Sequence, residues 1–179
     1  MNSNSQNNRS FICRTHGAVD FESLPASKTM FSMLKSEKRC NYTQFQGAFD
    51  DKFLYLRICA FENIPDENSR IILLLKGKEL FSFTFYADST SYVDLHCKYH
   101  FINGEDLQGV YWGVEITIER EALGLSGSEL SLYGNVIKAG GGDFPHLCSV
   151  FECGAKFDSS DDFDPQLLPQ NDLKLFSVI

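Results

Sequence analysis

From Tyr42 onward apolar side chains recur at every second position, the period of a pleated strand whose successive side chains face opposite ways. Over residues 53–62 one face carries Phe53, Tyr55, Arg57, Cys59 and Phe61, and the other Leu54, Leu56, Ile58 and Ala60. Both faces are largely apolar, which predicts a central strand in a two-layer structure. Residues 71–75 are an unbroken apolar run, Lys76-Gly77-Lys78 reads as a turn, and residues 80–86 set Phe81, Phe83 and Phe85 on one face, so this stretch predicts a hairpin. Residues 91–101 alternate Val93, Leu95, Cys97, Tyr99 and Phe101, set toward a core, with Tyr92, Asp94, His96, Lys98 and His100, set toward solvent or a cleft. Residues 110–118 bury Val110, Trp112, Val114, Ile116 and Ile118 and present Tyr111, Glu115 and Thr117. Strands over 130–138 and 173–179 complete the pattern.

Helical spacing interrupts this alternation in two places. Over residues 26–39, Met30, Met33, Leu34 and Glu37 share a helical face with Ser27 as a cap; the second, shorter helix spans 120–125. Many strands with one or two short helices predict an all-β fold, an antiparallel β-sandwich of jelly-roll or immunoglobulin-like type. Residues 1–10 are rich in Asn, Ser and Gln and read as a disordered polar tail, because too few apolar groups offset the entropy of ordering. Residues 11–179 then form a single domain, and 43% hydrophobic residues suffice for a core without staples. Residues 158–165 read as an acidic loop.

Charge narrows the partners. A formal net charge of −8 and a pI of about 4.9 set the surface potential against phosphate backbones and anionic membranes, so nucleic acid is not an expected partner. No segment approaches about 18 continuous apolar residues, so no membrane span is expected. The N-terminus lacks the basic and apolar regions of a signal peptide, which predicts a cytoplasmic protein whose six cysteines remain thiols.

Catalytic and metal patterns are weak. His96 and His100 share a strand face with Asp94 and Lys98, but four residues of strand separate their Cα atoms by roughly 13 Å, too far for one ion. His146, Cys148 and Cys153, and likewise Cys13 and His16, match no zinc spacing. No Gly-x-Ser-x-Gly elbow is present, and Glu119 with Glu121, or Asp161 with Asp162, read as solvated charge runs. The expectation is therefore a protein that is not an enzyme. The acidic loop lacks EF-hand spacing but carries enough carboxylates to leave calcium open as a cofactor; no metal ligand is assigned. Gly140-Gly141-Gly142-Asp143 forms a flexible loop with Lys138, Asp143 and His146 beside it.

A further signal lies in motif order. Tyr111-Trp112-Gly113-Val114-Glu115, the segment to Leu125, Gly134-Asn135-Val136-Ile137-Lys138-Ala139-Gly140 and Pro145-His146-Leu147-Cys148-Ser149 follow one another at a spacing that resembles a mostly bacterial group of β-sandwich domains related to family-9 carbohydrate-binding modules. Phe49-Asp50-Asp51-Lys52-Phe53-Leu54-Tyr55-Leu56-Arg57 is similar to that group's Asp-Asp turn and following strand, which extends the likeness over about residues 40–179. The group's Phe-Tyr after Gly-Asn is here Val136-Ile137, its Cys is Ala139, its Trp after Ser is Val150 and its strand-ending Pro is Glu119. Family-9 modules grip sugar ends between tryptophan faces. This chain has one tryptophan, Trp112, and strand parity sets it in the core, which leaves Tyr86, Tyr92, Tyr99, Tyr111 and Tyr133 as stacking rings.

The resemblance implies a non-catalytic module binding a small saccharide or glycoside. Tyr111, Glu115, Asn135, Lys138 and His146 are its expected ligand-binding residues: Glu115 and Asn135 meet hydroxyls, Lys138 donates and a tyrosine stacks. The alternative is a β-sandwich interaction protein of the same fold that has lost sugar binding and meets a protein partner or a second copy of itself.

Overall fold

A computed structural model describes residues 11–179; the expected N-terminal tail, residues 1–10, lies outside them. The strands of the first half are β1 (Phe11–Arg14), β2 (Ser27–Lys28), β3 (Phe31–Ser32), β4 (Thr43–Phe49), β5 (Phe53–Phe61), β6 (Arg70–Lys76) and β7 (Leu80–Tyr86). Those of the second half are β8 (Ser91–Val93), β9 (Lys98–Asp106), β10 (Gly109–Glu119), β11 (Tyr133–Gly140), β12 (His146–Ser149), β13 (Lys174–Leu175) and β14 (Ser177–Val178).

These strands make two seven-stranded sheets. The first runs β14-β1-β4-β5-β10-β9 with β2 against β4; the second runs β3-β12-β11-β6-β7-β8 with β13 against β11. Among the described strands only β1 pairs in parallel, with β4 and with β14. The all-β sandwich that the alternation predicted is thus present.

The core lies where the inner faces meet. Leu54, Leu56, Ile58 and Ala60 of β5 and Trp112, Val114, Ile116 and Ile118 of β10 face Ile71, Leu73 and Leu75 of β6 and Phe81, Phe83 and Phe85 of β7. A second cluster covers the other face of the second sheet: Met33, Leu34, Phe163, Leu168 and Leu173 close over Ile72, Leu74, Ile137 and Leu147. This double cover explains why residues 71–75 are apolar without alternation, since a strand buried on both faces needs no polar side. The acidic loop belongs to this cover, held down by Phe163. Among the described residues the first sheet has no equivalent layer over β5, β10 and β9: outward Phe61 and Tyr111 are partly exposed and His100 is exposed, while the Arg57 and Glu115 side chains keep 14% and 27% of their surface open and Cys59 between the rows is buried.

Five local expectations are corrected. Residues 26–39 are not helical: Thr29 N–H donates to the Thr43 carbonyl and Met33 N–H to that of Leu147, so pairing with strands of both sheets replaces a helix, and Met30 is exposed. Residues 120–125 form a turn, because the buried Arg120 guanidinium donates to the carbonyls of Asp50, Gly127 and Glu129 and draws three loops together. The strand expected over 91–101 breaks at 94–97, where the chain crosses from the second sheet to the first. Val110 and Tyr99, expected in the core, are exposed, as each lies on or next to the sheet-edge hairpin of β9 and β10. The strand expected over 173–179 is two short strands in different sheets.

Candidate functional site

The uncovered face of the first sheet is set by strand register. Pairing of β10 with β5 places Glu115 opposite Arg57, and pairing with β9 places it opposite His100. Glu115 therefore sits between two cationic or cation-capable side chains, with Oε1 3.6 Å from Arg57 Nε and Oε2 3.1 Å from His100 Nε2. Arg57 Nη1 also donates to Glu22 Oε1 at 2.6 Å. Glu22 is held there by the short turn Phe21–Ser23, which Gln46 of β4 anchors by donating Nε2 to the Phe21 and Leu24 carbonyls at 2.6 and 3.0 Å. Each charge in the row is matched by another, yet Arg57 Nε finds no hydrogen-bond partner among the described residues.

An aromatic row adjoins the charged one. Tyr42, Phe61 and Tyr111 follow one another with ring centroids 5.1 and 5.4 Å apart. Tyr111 leans over Gly104 of β9, its cross-strand partner, where a Cβ atom would come within 2.6 Å of the phenol oxygen. Tyr111 and Glu115 lie two outward positions apart on β10, so both rows open on one surface.

Lys138 and His146 are elsewhere, at the end of the sandwich between the sheets. Lys138 Nζ is 3.1 Å from Glu62 Oε2 and 2.8 Å from His146 Nε2, and it lies 5.7 Å from the centre of the Trp112 ring. Trp112 Nε1 and Ser69 Oγ donate to the two oxygens of Glu62 at 3.1 and 3.0 Å. His146 Nδ1 donates to the Phe144 carbonyl at 2.7 Å, which leaves Nε2 to accept from Lys138. The side chains of Lys138 and Glu62 are 0% exposed and that of His146 1%, so their charged ends are shut away from solvent. Burial lowers the Lys138 pKa in spite of Glu62, and burial with the Lys138 charge depresses His146 to about 4. Asn135 faces the opposite side of the second sheet, wholly buried, its Nδ2 donating to Cys153 Sγ at 3.2 Å and its Oδ1 accepting from the backbone of Val136.

The five expected residues thus occupy three places. Tyr111 and Glu115 share the open face, Lys138 and His146 share the buried end, and Asn135 is apart from both. Sequence reading passed over Glu62, whose inward parity after Leu54, Leu56, Ile58 and Ala60 marks a carboxylate that needs a buried cation. It also left His100 and Arg57 unpaired with Glu115, although the tight turn after Asp106 fixes that register. In the acidic loop, Asp162 and Asp164 accept from the backbone of Ser159 and Gln166, and Asp158 pairs with Lys35. No group of three or more His, Cys, Asp or Glu side chains is arranged to hold a metal among the described residues.

Two sheets packed face to face, one covered on its outer side and one open among the described residues, make up the sandwich. Its fold is that of the family-9 carbohydrate-binding modules. No protein-family model and no curated protein matches the sequence. Among solved structures, a family-9 module from Caldicellulosiruptor kristjanssonii in complex with glucose is similar at a TM-score of 0.62 and 9% identity, over 96% of this chain and 95% of that one. The cellotriose complex of a family-9 module from the same organism gives 0.63 at 8% identity, over 95% and 93%. A Bacteroides uniformis protein provisionally designated carbohydrate-binding gives 0.59 at 12% identity, over 94% and 98%. No helix among the described residues is long and apolar enough to cross a membrane.

Proposed function

We propose that this protein is a non-catalytic carbohydrate-binding module that holds a small saccharide or glycoside on the open face of the first sheet. The observation that carries this reading is the juxtaposition, on one uncovered surface, of the Tyr42–Phe61–Tyr111 rings with the Arg57–Glu115–His100 row. A pyranose has an apolar ring face and a rim of hydroxyls that both donate and accept. Aromatic side chains match the first by dispersion, and a carboxylate between nitrogen donors matches the second. Arg57 is shared between the carboxylates of Glu115 and Glu22, so these three groups keep a net negative charge, which suits a neutral sugar better than a uronate. Lys138, His146 and Asn135 support the fold that presents this face rather than touching the ligand.

Thermal-shift and calorimetric titration against a panel of mono- and oligosaccharides, glucose and cellotriose among them, tests the proposal. A sugar that raises the melting temperature is expected, because binding to the folded state alone adds to its stability. Glu115→Ala, which removes charge-assisted hydrogen bonds, should weaken that binding at least about tenfold while leaving the fold intact. No stabilisation by any sugar at millimolar concentration would overturn the reading and favour a protein partner at the same face.

A further inference from the structure

Where the chain crosses between the sheets at residues 94–97, it leaves a cavity of about 290 Å³ against the lower end of the open face. Phe53 of β5, Leu95, Cys97 and Ala122 supply its apolar lining, and Leu95 and Cys97 also pack on the main core. Burial pushes the Cys97 thiol up to about 11, so it stays protonated and uncharged at neutral pH. Lys98 and Glu119, of opposite charge, stand at the exposed rim with His96.

This cavity is continuous with the proposed sugar face through one residue. Thr117 lines it, and Thr117 is the next outward position after Glu115 on β10, roughly 7 Å along the strand. A pyranose seated on Arg57, Glu115 and His100 therefore ends beside the mouth of the cavity. The volume is near the lower limit for small-molecule pockets and suits a single ring. A second sugar ring fits it poorly in chemistry: Phe53, Leu95, Cys97 and Ala122 offer its hydroxyls no strong partners, and an unpaired buried hydroxyl is costly.

Building on the reading that a sugar binds this face, we infer that the cavity receives the apolar aglycone of a glycoside whose sugar lies on Arg57, Glu115 and His100. The ligand class is then an uncharged glycoside carrying a ring-sized apolar group, rather than a polysaccharide chain. Thr117 joins the two subsites, and Ala122, on the turn after β10, sets the depth of the apolar one.

Calorimetry with paired methyl and phenyl glycosides of glucose, galactose, mannose and xylose tests this. For whichever sugar binds, the phenyl glycoside should bind at least tenfold more tightly than the methyl glycoside. Ala122→Phe, which fills the cavity, should abolish that advantage and leave methyl-glycoside affinity unchanged. Saturation-transfer NMR on the unaltered protein gives a second readout independent of any variant, with the strongest transfer expected on the phenyl protons. Equal affinities for the two glycosides, or transfer confined to the sugar protons, would overturn the aglycone pocket while leaving the sugar face standing. If none of the glycosides or free sugars binds, the sugar face itself fails, and the pocket assignment with it.

Discussion

Lys138 shows why a residue that looks functional in a motif can be structural in the fold. Its ammonium group is buried completely and depends on Glu62 and His146 for compensation. Lys138→Met strips Glu62 of its cation inside the sandwich, and the expected loss is about 3–5 kcal/mol, measured by urea denaturation. Replacing both partners, Glu62→Leu with Lys138→Met, should restore most of that loss, since removing a buried pair together leaves no uncompensated charge. His146 adds a pH dependence. Its folded pKa, about 4, lies below the ordinary histidine value of 6.5, so below pH 6.5 the unfolded chain takes up a proton that the native site refuses. The stabilisation is fully present above pH 6.5 and fades as pH falls toward 4, by roughly 3 kcal/mol across that window. Denaturation midpoints of the parent should fall over that range, and His146→Gln should flatten the fall; an unchanged slope in the variant would show that other groups control acid stability.

Strands were legible at the scale of elements wherever one face met the core and the other did not. β5, β7 and β10 follow their alternation closely, because a register slip of one residue would turn every apolar side chain outward. Segments whose partners are distant in sequence were not legible in the same way. Met33 and Leu34 carry helical spacing yet serve as lids over the second sheet, and nothing local tells a lid from a helix face. The crossover at 94–97 also keeps its alternation while leaving one sheet for the other. Of the site, the Tyr111 and Glu115 pair on one strand was readable from parity, whereas Arg57 and His100 enter through the register of two neighbouring strands. Gly113, inside the Tyr-Trp-Gly motif, has a steric reason: a Cβ there would stand 2.0 Å from the Ile58 carbonyl oxygen across the β5–β10 pair. Gly113→Ala must therefore push backbone apart, and a cost of about 1–3 kcal/mol is expected in thermal or urea melts. Because that pair carries Arg57 and Glu115, the same variant should also weaken sugar binding; full affinity with full stability would mean the strands part at no cost.

At the scale of the whole molecule, the C-terminal segment ties the two sheets together. β13 pairs with β11 of the second sheet and, two residues on, β14 pairs with β1 of the first. Between them Phe176 is buried, its ring 5.3 Å from those of Phe45 and Phe151. Leu173 and Phe176, the buried residues of this segment, are three positions apart rather than two, which is why a single strand over 173–179 fails and a strap between sheets succeeds. The strap predicts cooperative coupling. Phe176→Ala opens a cavity against residues of both layers and should cost about 3–5 kcal/mol. Hydrogen exchange should then show amide protection falling together in β1 and β11, because the ring supports both sheets at once. A loss of protection confined to residues 174–179 would mean that the segment lies on a sandwich already closed without it, and that the two sheets owe their cohesion to the central Phe, Leu and Ile contacts alone.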